Sequence, residues 1–271
     1  MRRWINRHPS RATRVLLGVI PFVLILLLYQ AGSVARKAEN PQDKLLPSFG
    51  EMYQAIDRVA FTPSKRTGEY LFWQDTASSL KRLLMGLVIA SVLGLMVGLL
   101  SGSLPLLGAH INPLVTAISL IPPLAILPIL FIVFGLGEVS KVVLIVIGIA
   151  PFLMREIYLR TQEIPLEQLV KAQTLGANSA QVISRILFPQ IMPRLIDAVR
   201  LSLGSAWLFL IAAEAIAATD GLGYRIFLVR RYLSMDVILP YVVWITFLAF
   251  MLDWLLLKAS RLSYGWYHVK R

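Results

Sequence analysis

The sequence predicts an all-α integral membrane protein of six transmembrane helices with a structured loop on its cytoplasmic side. Three observations carry that class. The 271 residues are 57% hydrophobic and only 15% charged, with a mean hydropathy of +0.69, too few charges to cover a water-soluble globule. Six runs reach or approach the length of about 20 apolar residues that crosses roughly 30 Å of hydrocarbon. One central stretch, "LVKAQTLGANSAQVISRILFPQIMP" (169–193), is polar and broken by glycine and proline amid that apolar background.

The first run, 15–35, follows a tail (1–14) that carries Arg2, Arg3, Arg7, Arg11 and Arg14. A signal peptide has a similar look, and "SVA" imitates a cleavage site. Its 21 uncharged residues are nevertheless long enough to span, and five more runs follow, so it reads as the first transmembrane helix. Residues 36–82 form an outer loop; from 36 to 77 it balances six basic against six acidic residues, and around Tyr70, Phe72 and Trp73 it suggests an interfacial or docking helix.

A five-helix core over 83–257 follows. In its first span, 83–103, Gly86, Ala90, Gly94, Gly98 and Gly102 recur every four residues, a smooth stripe for tight packing or for sliding against another helix. Span 114–136 holds Pro122, Pro123 and Pro128, which remove backbone donors; such broken helices line pathways or simply kink. Span 139–155 opens with ten Val, Leu, Ile and Phe residues over 139–153, worth about −5 kcal/mol toward insertion at roughly −0.5 each. Spans 195–219 and 237–257 complete the set, and 258–271 is the C-terminal tail.

The five charges from Arg160 to Arg185 cost about 2.5 to 3.5 kcal/mol each at a bilayer centre, so the loop 156–194 cannot be a span. It has helical content of its own. Pro165 suits a first turn, Leu166, Leu169, Val170 and Leu175 give an apolar face, and Gly176 fits the left-handed residue that ends a helix. A second helix starts at Asn178, with Gln181 completing a capping box, and is expected to run to Pro189 and Pro193. Two short helices joined by a glycine elbow make a knob for a partner to grip.

Basic residues at both ends, the tail adding Lys258, Arg261, Lys270 and Arg271, place both termini and this knob in the cytoplasm. Arg225, Arg230 and Arg231 then fall outside, against the rule; they suit an anion or a partner protein. The net charge of +12 thus belongs to membrane flanks, and nucleic acid is not an expected partner.

The knob resembles the cytoplasmic loop of permease subunits of ABC-type importers, in the nitrate, taurine, sulfonate and bicarbonate branch. That loop reads Glu-Ala-Ala, three residues, Gly, then nine residues before Ile-x-Leu-Pro. Ala172, Gly176, Ile186 and Pro189 match it, while Val170, Lys171 and Phe188 depart from it. "LLPSFGEM" (46–53), "ISLIPPLAILPILFIVFGLGEVSK" (118–141), "RLSLGSAW" (200–207) and "GLGY" (221–224) follow the family's order, so the likeness covers about 45 to 262. The resemblance implies a type I importer permease fold in a bacterial inner membrane and a homodimer enclosing the pathway. It also implies an extracytoplasmic solute-binding protein and a cytoplasmic ATPase dimer that holds ATP and magnesium, with no cofactor in this chain. Contact with the ATPase would fall on Leu169, Lys171, Ala172, Gln173, Gly176, Ala177, Arg185, Ile186 and Pro189.

Few ionisable groups enter the spans: Asp197 and Arg200, expected to pair three residues apart, Glu214 as a pathway candidate with Pro122, Pro123 and Pro128, and Asp253 about one turn from Lys258. His8, His110 and His268 are scattered, no cysteine occurs, and no G-x-x-x-x-G-K-[ST] cradle is present, so neither a metal site nor catalysis is read here. The alternative is an ion-coupled secondary transporter, which calls for inverted halves with matched broken helices; only one broken span is visible.

Overall fold

The computed structural model describes residues 9–64 and 68–269, and their regular elements are all helical. Arg2, Arg3, Arg7, His8, Lys270 and Arg271 lie outside the described residues. Helix α1 (Arg11–Glu39) is capped by Ser10, whose hydroxyl accepts the Thr13 N–H at 3.2 Å. Almost all of it is open; Ser33 alone among its residues is buried, donating to the Leu46 carbonyl at 2.9 Å while Tyr29 donates to that of Pro47 at 2.6 Å. The short amphipathic α2 (Phe49–Ala60) starts with a Ser48/Glu51 capping box and lays Ala55 and Ala60 against the body.

Helix α3 (Leu71–Ser103) starts twelve residues before the expected span at 83. Tyr70, Phe72 and Trp73 are therefore not a separate interfacial helix: they open α3, where Phe72 is buried edge-on to Tyr241 with ring centres 5.3 Å apart. Asp75, Lys81 and Arg82 precede the span expected from Leu83, yet all three lie inside α3. Pairing of Asp75 and Arg82 with distant residues, described below, admits them.

The expected span 114–136 is two helices. α4 (Pro105–Ser119) is separated from α3 by Leu104 alone, and α5 (Leu127–Phe134) is bent from it by 79°. Pro122 and Pro123 cannot donate and Pro122 disfavours helix at Ile121, so α4 closes in a tightened turn, Leu120 and Ile121 donating to Ala117 and Ile118. A single 3₁₀ turn, Pro123–Ile126, links the pair, and Pro128 sits harmlessly in the first turn of α5.

Helix α6 (Glu138–Gln162) packs along α3 in parallel. Gly86, Gly94, Gly98 and Gly102 stand opposite Ile145, Leu153, Ile157 and Thr161, each 59 positions later, and a Cβ built on any of these glycines would come within 2.5–2.7 Å of its partner. Between helices in lipid the driving force is van der Waals packing, which small residues permit by letting backbones approach. The stripe with Ala90, fully buried, is thus a close seam; every position is engaged, which is the packing reading of that stripe.

After α6 come α7 (Leu166–Thr174) and α8 (Ser179–Val182). The second loop helix does not stop at Pro189. It passes through one π turn, Ile183–Leu187, into α9 (Phe188–Ala217), which carries Pro189 in its first turn and Pro193 inside. A π turn shifts the donor register by one, a common way for a helix to absorb residues that cannot donate. Knob and span are consequently one continuous rod. α10 (Leu222–Arg230) and α11 (Met235–Ser263) complete the chain, with a final 3₁₀ turn at Gly265–His268. α3, α6 and α9 hold the centre, where Leu83, Leu144, Ile145, Leu153, Ile191 and Leu210 are fully buried.

Candidate functional site

Two polar regions sit at opposite ends of this bundle. At one end the α7–α8 knob follows the ends of α3 and α6. Its elbow is a Schellman turn: Gly176 has φ +84°, its N–H donates to Gln173 at 2.9 Å, and Ala177 donates to Ala172 at 3.0 Å. Asn178 and Gln181 then form the reciprocal capping box, both bonds at 2.9 Å.

The apolar face of α7 divides. Leu169, Ala172 and Ala177 are half-buried against the chain's own core, so the face expected from Leu166, Leu169, Val170 and Leu175 is split: at 100° per residue, Leu169 and Ala172 turn inward. Leu166, Val170 and Leu175 point out, 68%, 47% and 80% exposed. Lys171, Gln173, Gly176, Arg185 and Pro189 are exposed and Ile186 is half-buried. The knob is tied to the body by polar contacts, Gln190 to Gln168 at 3.0 Å and Arg194 to Glu163 at 2.6 Å. Burial pulls the Glu163 carboxyl upward, but Arg160 and Arg194 outweigh it and hold it below the usual range.

Nearby, Arg200 bonds Asp197 at 3.1 Å as expected, and also grips Asp253 with two bonds at 2.8 and 3.1 Å. Lys258, one turn from Asp253, instead lies over the Trp254 ring at 5.0 Å.

At the far end a buried charge network joins α3, α6, α9, α10 and the 218–221 loop. Arg82 uses all five N–H groups: two on Glu138 (2.5 and 2.8 Å), one on Glu214 (2.8 Å), and two on the side chain (2.6 Å) and carbonyl (3.0 Å) of Asp220. Glu214 is 0% exposed and also accepts from Ser79 (2.8 Å) and the Gly223 N–H (2.9 Å). Asp75, equally buried, accepts from Arg225 at 2.8 Å, the Gly221 N–H at 2.9 Å and Tyr241 at 3.3 Å. Arg225, read from the sequence as an outer cation for an anion or partner, is thus paired within the chain. Burial raises the Asp220 carboxyl, yet bonds from Ser78 and Arg82 bring it below the ordinary range.

This network explains "GLGY". Gly221 has φ +115° and ψ 161°, a region open essentially to glycine, and a Cβ there would lie 2.5 Å from the Glu214 carboxylate. A Cβ on Gly223 would meet the Ile211 carbonyl at 2.8 Å. Of the pathway candidates, then, Glu214 lies inside a single chain's core, while Pro122, Pro123 and Pro128 mark the helix break. Asp75, Ser79, Arg82, Glu138 and Asp220 escaped sequence reasoning, because the partners that join them into the network stand 56 to 166 residues away.

Residues 79–261 match the binding-protein-dependent transport system inner membrane component family, two thirds of the chain. The chain belongs to that family. Among curated relatives, the taurine transport system permease protein TauC of Escherichia coli (strain K12) is 36% identical over 182 residues, 67% of this chain and 66% of its own length. The bicarbonate transport system permease protein CmpB of Synechococcus elongatus is 27% identical over 250 residues, 88% of this chain and 84% of its own. A chain of the MetNI methionine ABC transporter, solved in an inward-facing conformation, superposes with a TM-score of 0.63 at 21% identity, covering 73% of this chain and 98% of that one, and shares the fold. This permease is a multi-pass membrane protein and a transport subunit, not an enzyme.

Proposed function

We propose that this permease works as a homodimer enclosing a pathway for a small anionic or zwitterionic solute of the taurine, sulfonate or bicarbonate kind. A soluble protein outside delivers the solute, and an ATPase dimer in the cytoplasm, holding ATP and magnesium, grips the knob. Both termini and the knob then lie in the cytoplasm of a bacterial inner membrane, and the far end faces outward.

The observation that carries this reading is the knob itself. Leu166 and Val170 along α7, and Leu175 at its capped elbow, expose apolar surface, where burial against a partner recovers about 1.5 kcal/mol or more per side chain. Because the π turn makes α8 and α9 one rod, displacement of the knob is carried directly into the span.

Leu175→Glu tests it. The variant is expected to insert and dimerise normally, to lose co-purification with the ATPase, and to lose ATP-dependent uptake. An unchanged yield of ATPase with undiminished uptake overturns the reading, and uptake that follows an ion gradient without ATP assigns the chain to secondary transport. Topology is checked in the same cysteine-free background: a thiol at position 175 should be labelled only after the membrane is opened, and one at 228 from outside intact cells.

A further inference from the structure

Arg82 and Arg155 carry the same group on the two span-length helices α3 and α6 and spend it differently. Arg82 has all five donors engaged and three carboxylates around it. Arg155 has one bond, to the neutral Ser119 hydroxyl at 3.0 Å, and among the described residues no carboxylate lies within ion-pair distance of it. The adjacent Glu156 is taken by Arg160 at 2.7 Å, and Ser119 gives its own proton to the Thr116 carbonyl at 2.8 Å.

The side chain's direction matters as much as its freedom. Arg155 stands seven residues before the end of α6, about 10 Å of helix from it, within reach of the polar end by snorkelling. It points the other way. Side chains on a helix lean toward its N-terminus, and Arg155 leans to Ser119, the last residue of α4, beside the 79° break. There it lines a groove of about 330 Å³ between the broken pair and α6, with Pro123, Gly148, Pro151 and Phe152 on its walls. Glu156 also lines the groove, but its carboxylate is bonded to Arg160, so Arg155 is an exposed cation turned toward a helix break with donors left over and no carboxylate bonded to it.

We infer that Arg155, seated by Ser119 in this groove, holds the acidic group of the passing solute, a sulfonate or carboxylate-type oxyanion. This rests on the proposed importer role. The guanidinium offers a planar fork of donors that fits two oxygens of such a group, and Ser119 fixes one arm so that the fork is already oriented when the anion arrives. A lipid phosphate has the same chemistry, so the test must tell a watery groove from a lipid-facing one.

The chain contains no cysteine, so Phe152→Cys, one turn from Arg155 on the same wall, gives this subunit a single thiol. In the assembled transporter it is treated with anionic and cationic methanethiosulfonate reagents, with the parental complex as blank. Both reagents should react from water, the anionic one favoured by roughly tenfold relative to a free thiol, and Arg155→Gln in the same background should abolish that preference. In proteoliposomes with the binding protein, Arg155→Gln should lower uptake of labelled taurine or bicarbonate about tenfold or more while binding-protein-stimulated ATP hydrolysis persists, and Arg155→Lys should retain more uptake than Gln. A thiol that neither reagent reaches marks a lipid-facing groove and overturns the inference, as does a preference indifferent to Arg155→Gln. Import restricted to neutral or cationic solutes overturns it too. Loss of all ATP-dependent import in the wild type counts against the importer role instead, and the reagent arm, which needs no solute, still decides the groove.

Discussion

The two polar ends of this permease use charge in opposite ways. At the far end Asp75, Arg82, Glu138, Glu214, Asp220 and Arg225 bond to one another, with Asp75, Arg82 and Glu214 almost wholly removed from solvent. At the knob end the charges lie at the surface, and apolar Leu166, Val170 and Leu175 stand open above them. The first end is finished within one chain, and the second leaves apolar surface open, the surface that the proposed ATPase contact would cover. A buried ion cluster is costly to assemble and far costlier to leave half-assembled. An exposed apolar tip costs the isolated chain little and gives binding energy only when covered.

This contrast ranks perturbations by their effect on the stability of the purified permease. The largest belongs to Arg82→Met, which leaves the fully buried Glu214 without its cation and takes a partner from Asp220 and the exposed Glu138; thermal unfolding in detergent should show a loss of about 3–5 kcal/mol, or failure to recover folded protein, with partial rescue by Glu214→Gln. Stability indifferent to Arg82→Met would mean that the far end is not held by its charges. Gly221→Ala comes next, at about 1–3 kcal/mol for a side chain forced into a glycine-only region, with further cost where its Cβ meets Glu214.

Smaller still is an acid effect. The Asp220 carboxyl is held below its ordinary range in the fold, so its contribution is complete above about pH 4 and disappears as pH falls through the lowered value. Asp220→Asn should flatten that part of the stability profile. The smallest effect is that of Leu175→Glu, within about 0.5 kcal/mol because the site is 80% exposed, although under the proposed role the same change is expected to abolish co-purification with the ATPase. Knob variants that destabilised the isolated subunit would erase the distinction between the ends.

Helix elements were legible where the signal is local or periodic. Runs of apolar residues located the spans, the four-residue rhythm from Gly86 to Gly102 marked the seam, and Gly176, Asn178 and Gln181 specified the elbow and its cap, because each depends on neighbours within one or two turns. Boundaries failed where a distant residue decides. α3 extends back to Leu71 only because Asp75 and Arg82 find partners at positions 138, 214, 220 and 225, and taken singly those charges read as a loop. Pro189 read as a stop, since nothing in the sequence announces a π turn that carries the helix past it.

By itself, then, the sequence determined the class, the seam, the knob and the family, all properties of composition, period or short motif. Which charges are spent and which are free was decided only in three dimensions. Arg82, Arg155 and Arg225 are alike as letters, and the desolvation that makes one a structural anchor and another an unpaired cation in a groove exists only once helices far apart in sequence have packed together.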